Sequence, residues 1–209
     1  MSALELSSDV GLIAVFVLTF NILLGVLLGV RYNPWRHWPH RRINYFKIHN
    51  WTGYVALALC VLHPLLLLAS SDAHFRVLDV LYPLHAPKQP VINTLGALSL
   101  YVILLVVATS YFRVAIGRDR WKVIHYGAYG AAALFYVHGI WSDPTLTDRA
   151  IDFVDAEKVS VELCMVLVIA ASLYRGARYT RRAGRGARAQ IGGRRSLVSS
   201  GRSSGEETT

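Results

Sequence analysis

Five stretches of the chain are almost continuously apolar: residues 11–30, 49–70, 92–112, 121–141 and 159–174. Most are close to the length a helix needs to cross a hydrocarbon core of about 30 Å at roughly 1.5 Å per residue. A soluble domain would not carry several such runs. The pattern therefore predicts an all-α, polytopic membrane helical bundle of about five transmembrane helices. Asn21 interrupts the first run, and its expected role is an interhelical hydrogen bond.

The segments between the runs differ sharply in character. Residues 1–10 are polar and mildly acidic, with Glu5 and Asp9 but no Lys or Arg, unlike the basic start of a secretory signal. Residues 31–48 combine Arg31, Arg36, Arg41, Arg42 and Lys47 with Trp35, Trp38, Tyr45 and Phe46, a mixture suited to a membrane interface. Residues 71–91 read as a loop, 113–122 as a short basic loop, and 142–157 as an acidic one. From 175 onward Arg, Gly and Ser dominate without apolar periodicity, so a disordered basic tail at 176–209 is expected after a membrane domain at 1–175.

Charge orients the spans. Of the 22 Lys and Arg, 18 fall in 31–48, in 113–122 and in the tail, which share one side if the spans alternate. Arg76, Lys88, Arg149 and Lys158 fall on the other. The positive-inside rule then places the amino terminus outside and the carboxyl terminus in the cytoplasm. The composition agrees: 54% of the 209 residues are hydrophobic, and the mean hydropathy is +0.37. The net charge of +9 follows from this topology rather than from a nucleic-acid partner, and the partner expected is the lipid bilayer. Cys60 and Cys164 both lie in apolar runs, so neither a disulfide framework nor a Cys-x-x-Cys metal site is expected.

Four histidines stand out because imidazole is costly in hydrocarbon. His49 and His63 lie near the two ends of the second run, His125 and His138 near the two ends of the fourth. Both runs start on the cytoplasmic side, so the helices are parallel. His49 and His125 then share the inner depth, His63 and His138 the outer, roughly 20 Å apart at 1.5 Å per residue. Two such helices can grip two stacked haems, each iron held from both sides. Axial imidazoles on both faces leave no open metal position, so electron transfer is favoured and no catalytic residue is assigned.

The azimuths fit less well. A 14-residue step returns within ~40° of the same face, but a 13-residue step misses it by ~140°, so span four needs a distortion or a different approach to one haem. Gly127, Gly130, Gly139 and Pro64 are candidate sources. Gly53, Ala56, Ala58, Gly127, Ala128 and the run 130–133 offer small residues against which a macrocycle could lie, or ordinary close helix packing. Arg41, Arg42, Lys47 and Lys122 offer charge for haem propionates. His37, His40, His74 and His85 read as solvated loop residues. The alternative reading is a transporter or channel whose intramembrane histidines bind a metal ion or relay protons.

The His-x13-His helix followed by the His-x12-His helix resembles the ferric reductase-like transmembrane domain shared by NADPH oxidases, ferric reductases and bacterial relatives, over roughly residues 11–175. The resemblance implies two bis-histidine b-type haems, with His49/His125 as the inner pair and His63/His138 as the outer. It also implies transmembrane electron transfer from a cytoplasmic flavoprotein or quinol to an outer acceptor, in the bacterial cell membrane. The family includes small haem-only subunits, such as the membrane partner of a bacterial periplasmic methionine-sulfoxide reductase. The chain departs from long members in showing five spans rather than six. No flavin or nicotinamide domain follows the spans, so it is expected to be the haem b subunit of an oxidoreductase fed by another molecule. Gly184-Arg-Gly186-Ala-Arg-Ala189 matches a dinucleotide fingerprint formally, but no strand is expected before it.

Overall fold

Helix α1 (Ala3–Gly29) starts well before the first apolar run. The cause is a capping box: Ser2 Oγ accepts from the Glu5 amide at 3.1 Å, and Glu5 Oε2 accepts from the Ser2 amide at 2.8 Å. The polar residues 1–10 are thus the first turns of the helix, and Ser7 within them is buried. The computed structural model describes residues 2–30, 44–71, 73–146 and 152–203, with side chains described as far as residue 181. The basic and aromatic positions between 31 and 43, including His37, His40, Arg41 and Arg42, lie outside the described residues, as do Asp72, Asp148 and Arg149.

Helix α2 (Tyr45–Leu68) is capped by Asn44, whose side chain accepts from the Lys47 amide at 3.1 Å, so it too starts earlier than its apolar run. The expected loop at 71–91 holds a short helix, α3 (Val77–Leu81), and a 3-10 turn at Pro83–His85. Ala73, Phe75 and Ala86 form a small core there with Leu67, Leu68 and Leu146. His74 and His85 are exposed, as their loop position predicts. Pro90 opens α4 (Pro90–Tyr111), where its missing N–H is harmless.

The expected basic loop at 113–122 is instead a short helix, α5 (Arg113–Ile116), followed by the first turn of α6 (Arg118–Trp141). Gly117 separates them with φ +86° and ψ 149°, a backbone state open almost solely to glycine. Gly117→Ala should therefore cost about 1–3 kcal/mol through backbone strain. It meets no neighbouring atom, so the loss is not steric. A lowered thermal midpoint in detergent, with the histidine sites intact, is the expected result.

Helix α7 (Ala156–Ser203) continues past the fifth apolar run and across the tail whose composition reads as disordered. Its Ala and Arg residues are strong helix formers. Gly184 to Ala189 lie within this helix and not in a strand-to-helix turn, so they lack the setting of a phosphate-binding loop.

The described residues contain helices and no strand. α1 packs most extensively on α2, and α4 on α6, giving two helical hairpins. α7 lies against α1 and α6, while α2–α4 and α1–α6 contacts close the seam between the hairpins. Val15, Leu18, Ala56, Ile103, Ala131, Ala132, Phe135, Tyr136, Val161, Cys164 and Val168 form the shared core. Phe16, Phe20, Leu104, Leu105, Leu163 and Leu167 point outward. Helices that are apolar on every face belong in lipid. α1, α2 and α4 are each long and apolar enough to cross a membrane. α6 is less apolar because Arg118, Asp119, Arg120 and Lys122 occupy its first turns and His125 and His138 lie within it.

Polar side chains inside the bundle bridge helices. Asn21 Nδ2 donates to Thr52 Oγ1 at 2.7 Å and to the His49 carbonyl, joining α1 to α2 as its position predicts. Ser99 Oγ donates to the Ala131 carbonyl at 2.9 Å, joining α4 to α6. Thr19 Oγ1 lies 2.8 Å from Tyr136 Oη and itself donates to the Val15 carbonyl, joining α1 to α6. In lipid such bonds hold helices together where the hydrophobic effect offers little.

Candidate functional site: two histidine pairs along the bundle

The four histidines meet in two pairs across the seam between α2 and α6. His49 and His125 have ring centroids 6.1 Å apart at an interplanar angle of 75°. His63 and His138 have centroids 6.2 Å apart at 70°. The partners are those expected from parallel helices.

Each ring is fixed through Nδ1. His49 Nδ1 bonds the Asn21 carbonyl at 3.1 Å, His63 Nδ1 the Ser7 carbonyl at 2.8 Å, and His138 Nδ1 the Ile92 carbonyl at 2.8 Å. A carbonyl can only accept, so these three nitrogens carry the proton and leave Nε2 with a free lone pair. His125 reaches the same state differently. Its Nδ1 lies 3.3 Å from Ser110 Oγ, whose proton goes to the Val106 carbonyl at 2.7 Å. Trp121 Nε1 also donates to Ser110 Oγ at 3.2 Å, and the Trp121 ring stacks on His125 at 4.9 Å.

A repeated notch receives three of the rings. Four residues beyond each accepting carbonyl, one turn along the same helix, stands a glycine: Gly11 after Ser7, Gly25 after Asn21, Gly96 after Ile92. A Cβ at Gly11 would lie 2.9 Å from His63 Nδ1, at Gly25 3.2 Å from His49 Cε1, and at Gly96 2.9 Å from His138 Cε1. Only glycine lets the ring come this close to the neighbouring backbone. Ser110 holds the corresponding place after Val106. The notches on α1 and on α4 are spaced 14 residues apart, as are His49 and His63 on α2. On α6 the step is 13, and His125 is the ring that uses a hydroxyl relay rather than a carbonyl. α6 runs without a break from Arg118 to Trp141 and brings both His125 and His138 to their partners.

None of these anchoring residues except Asn21 stands out in the sequence by type. The signal that could have found them is the fourteen-residue recurrence of Gly11/Gly25 and Gly96/Ser110 on the helices facing the histidines. Several of the small residues that could bed a macrocycle or pack helices lie against neighbouring helices. Ala56 is fully buried in the core, Gly53 lies against Asn21, and Gly127 faces Val102 and Val106. Gly130 meets nothing within 4 Å.

The donor set fits an axially held metal macrocycle. Metal–imidazole bonds of about 2 Å, with a further ~1.1 Å to each ring centre, place two opposed rings roughly 6 Å apart across one metal. Both pairs have that separation, with their Nε2 atoms uncommitted to the anchoring oxygens. Ligating histidines normally donate their other ring N–H to an acceptor of this kind, which fixes the ring and its tautomer. Among the described residues no three His, Cys, Asp or Glu side chains gather to hold a bare metal ion. The outer pair borders a cavity of about 200 Å³ that also reaches Ser7, Gly11, Phe135 and Lys158.

Two cations stand beside the pairs. Lys158, only 8% exposed, donates through Nζ to the Gly139 carbonyl at 2.9 Å and to the Ser142 carbonyl. Arg175 donates to Tyr129 Oη at 3.1 Å and Tyr126 Oη at 3.3 Å, over Gly29. Lys47 and Lys122, expected near the inner pair, are exposed.

No curated protein and no solved structure matches the chain. Residues 10–136 match the family described as the ferric reductase like transmembrane component. The match takes in His49, His63 and His125 and ends two residues before His138; α7 lies beyond it. Covering more than half of the sequence, it establishes that the chain belongs to the ferric reductase-like transmembrane component family.

Proposed function

We propose that this chain carries electrons across a membrane through two b-type haems, one held by His49 and His125 and the other by His63 and His138. The observation that carries the reading is the pair of facing imidazoles, found twice, each ring fixed through Nδ1. Membership of the ferric reductase-like family supports transmembrane electron transfer as the class of function. A bound b-type haem supplies a one-electron couple at each pair.

The chain supplies the rest. The Nδ1 anchors hold each imidazole in the tautomer that presents Nε2. The buried Phe135 ring lines the cavity at the outer pair and helps keep water from it. α6 and α7 complete five spans, with the amino terminus outside and the basic segments in the cytoplasm. The donor is a cytoplasmic flavoprotein or a quinol, and the acceptor lies outside the bacterial cell membrane. Outward movement of an electron across an inside-negative membrane is favoured by about 2.3 kcal/mol per 100 mV.

A reduced-minus-oxidised visible spectrum with pyridine haemochrome quantitation tests the reading. Low-spin b-type bands and about two haems per chain are expected from two bis-histidine sites. A colourless protein, expressed with ample haem, would sink it and return the histidines to ion or proton binding. Ser110→Ala should act selectively on the inner centre. It removes the acceptor shared by His125 and Trp121, and loss of the group that orients a ligating ring weakens metal binding by about 10–100-fold. Haem retention during dilution should fall for one haem and not the other.

A further inference from the structure

Lys158 and Arg175 share a setting that their own hydrogen bonds do not explain. Lys158 is buried and bonds the carbonyls of Gly139 and Ser142, with Glu157, Asp155 and Asp143 as its nearby negative charges. Arg175 is half-buried and bonds two neutral phenols. A cation this close to a bound group acts on it through space in addition to its own partners. Each stands by one histidine pair. Gly139 follows His138 directly and Lys158 lines the outer cavity, while Tyr126 follows His125 directly. Both come from α7, 17 residues apart, or roughly 25 Å at 1.5 Å per residue, close to the spacing of the pairs themselves. α7 lies outside the family match, so this pairing is a property of the chain and not of the matched segment.

We infer that α7 provides one charge partner for each bound group: Lys158 for the group at His63/His138 and Arg175 for the group at His49/His125. The inference rests on the proposed function above. Each cation faces the carboxylates that a haem brings with it, and each favours the reduced iron, which carries one positive charge fewer. Two cations on one helix therefore set the two potentials separately. This differs from the assignment to Arg41, Arg42, Lys47 and Lys122, which charge along the sequence suggests.

The test is a spectroelectrochemical titration of the purified full chain carrying Lys158→Met or Arg175→Met, with haem content measured in parallel. Lys158→Met should make the outer centre about tenfold harder to reduce at fixed poise, a shift of about 59 mV for one electron. The inner couple should stay in place, and Arg175→Met should do the reverse. A His63→Ala background, holding the inner centre alone, assigns the couples: Arg175→Met should move the remaining one and Lys158→Met should not. Lys158→Arg and Arg175→Lys keep the charge and should keep both potentials and the haem. If a methionine variant loses one haem while its charge-keeping counterpart retains it, the inference also stands. Native potentials in both methionine variants overturn it. So does equal haem loss in the methionine and charge-keeping variants. A wild-type protein without haem overturns the functional reading and this inference together, whereas two haems with unmoved potentials overturn the inference alone.

Discussion

His63→Ala should lower the haem bound by the purified chain from about two to about one. The His63 ring is one half of the outer pair, held on the Ser7 carbonyl and seated in the notch at Gly11. Alanine keeps the helix, since it is the best helix former, but leaves His138 without an opposing ring 6.2 Å away. One axial imidazole without its partner gives a weaker, high-spin centre, so loss of the haem or a shift of its bands is expected. The inner pair lies a further roughly 20 Å along the helices and should be untouched. His49→Ala should give the complementary result. Pyridine haemochrome per chain and the low-spin bands are the measurements. Two undisturbed low-spin haems in His63→Ala would remove His63 from the ligand set.

Gly96→Val should damage the outer site nearly as severely while leaving every histidine in place. A Cβ there would sit 2.9 Å from His138 Cε1, 3.0 Å from Nδ1 and 3.1 Å from Nε2. The ring has to leave the Ile92 carbonyl, which frees Nδ1 and re-aims Nε2. Loss of the anchor alone lowers metal affinity by about 10–100-fold, and the displaced ring adds to that. Gly130→Ala is the control, because its Cβ meets nothing within 4 Å. Haem retention during dilution, compared between the two variants, decides the matter. Native retention in Gly96→Val would mean that the notch does not position the ring.

The helical class and the two histidine pairs were legible because they are written in side-chain type. Long apolar runs mark helices in lipid, and a histidine inside such a run is conspicuous. Asn21 was legible for the same reason. The anchors were not, because three of the acceptors are backbone carbonyls, which every residue carries. Ser7, Asn21 and Ile92 have nothing in common but their place one turn before a glycine. Helix starts were misjudged where a cap outweighed hydropathy, at Ser2/Glu5 and at Asn44. The break at Gly117 replaced a loop because one residue with positive φ suffices to separate two helices. The 13-residue step on α6 was legible, but the hydroxyl that anchors His125, Ser110 on another helix, was not.

Because every pair draws one ring from α2 and one from α6, neither hairpin owns a complete site. During synthesis, the first hairpin enters the membrane with two aligned imidazoles already oriented by α1 and nothing to oppose them. Any ligand that needs both rings has to wait for residue 125 at one end and residue 138 at the other. Closing either pair therefore depends on the docking of the second hairpin. A ribosome stalled before α6 would leave a half-built clamp, anchored and oriented but unable to close.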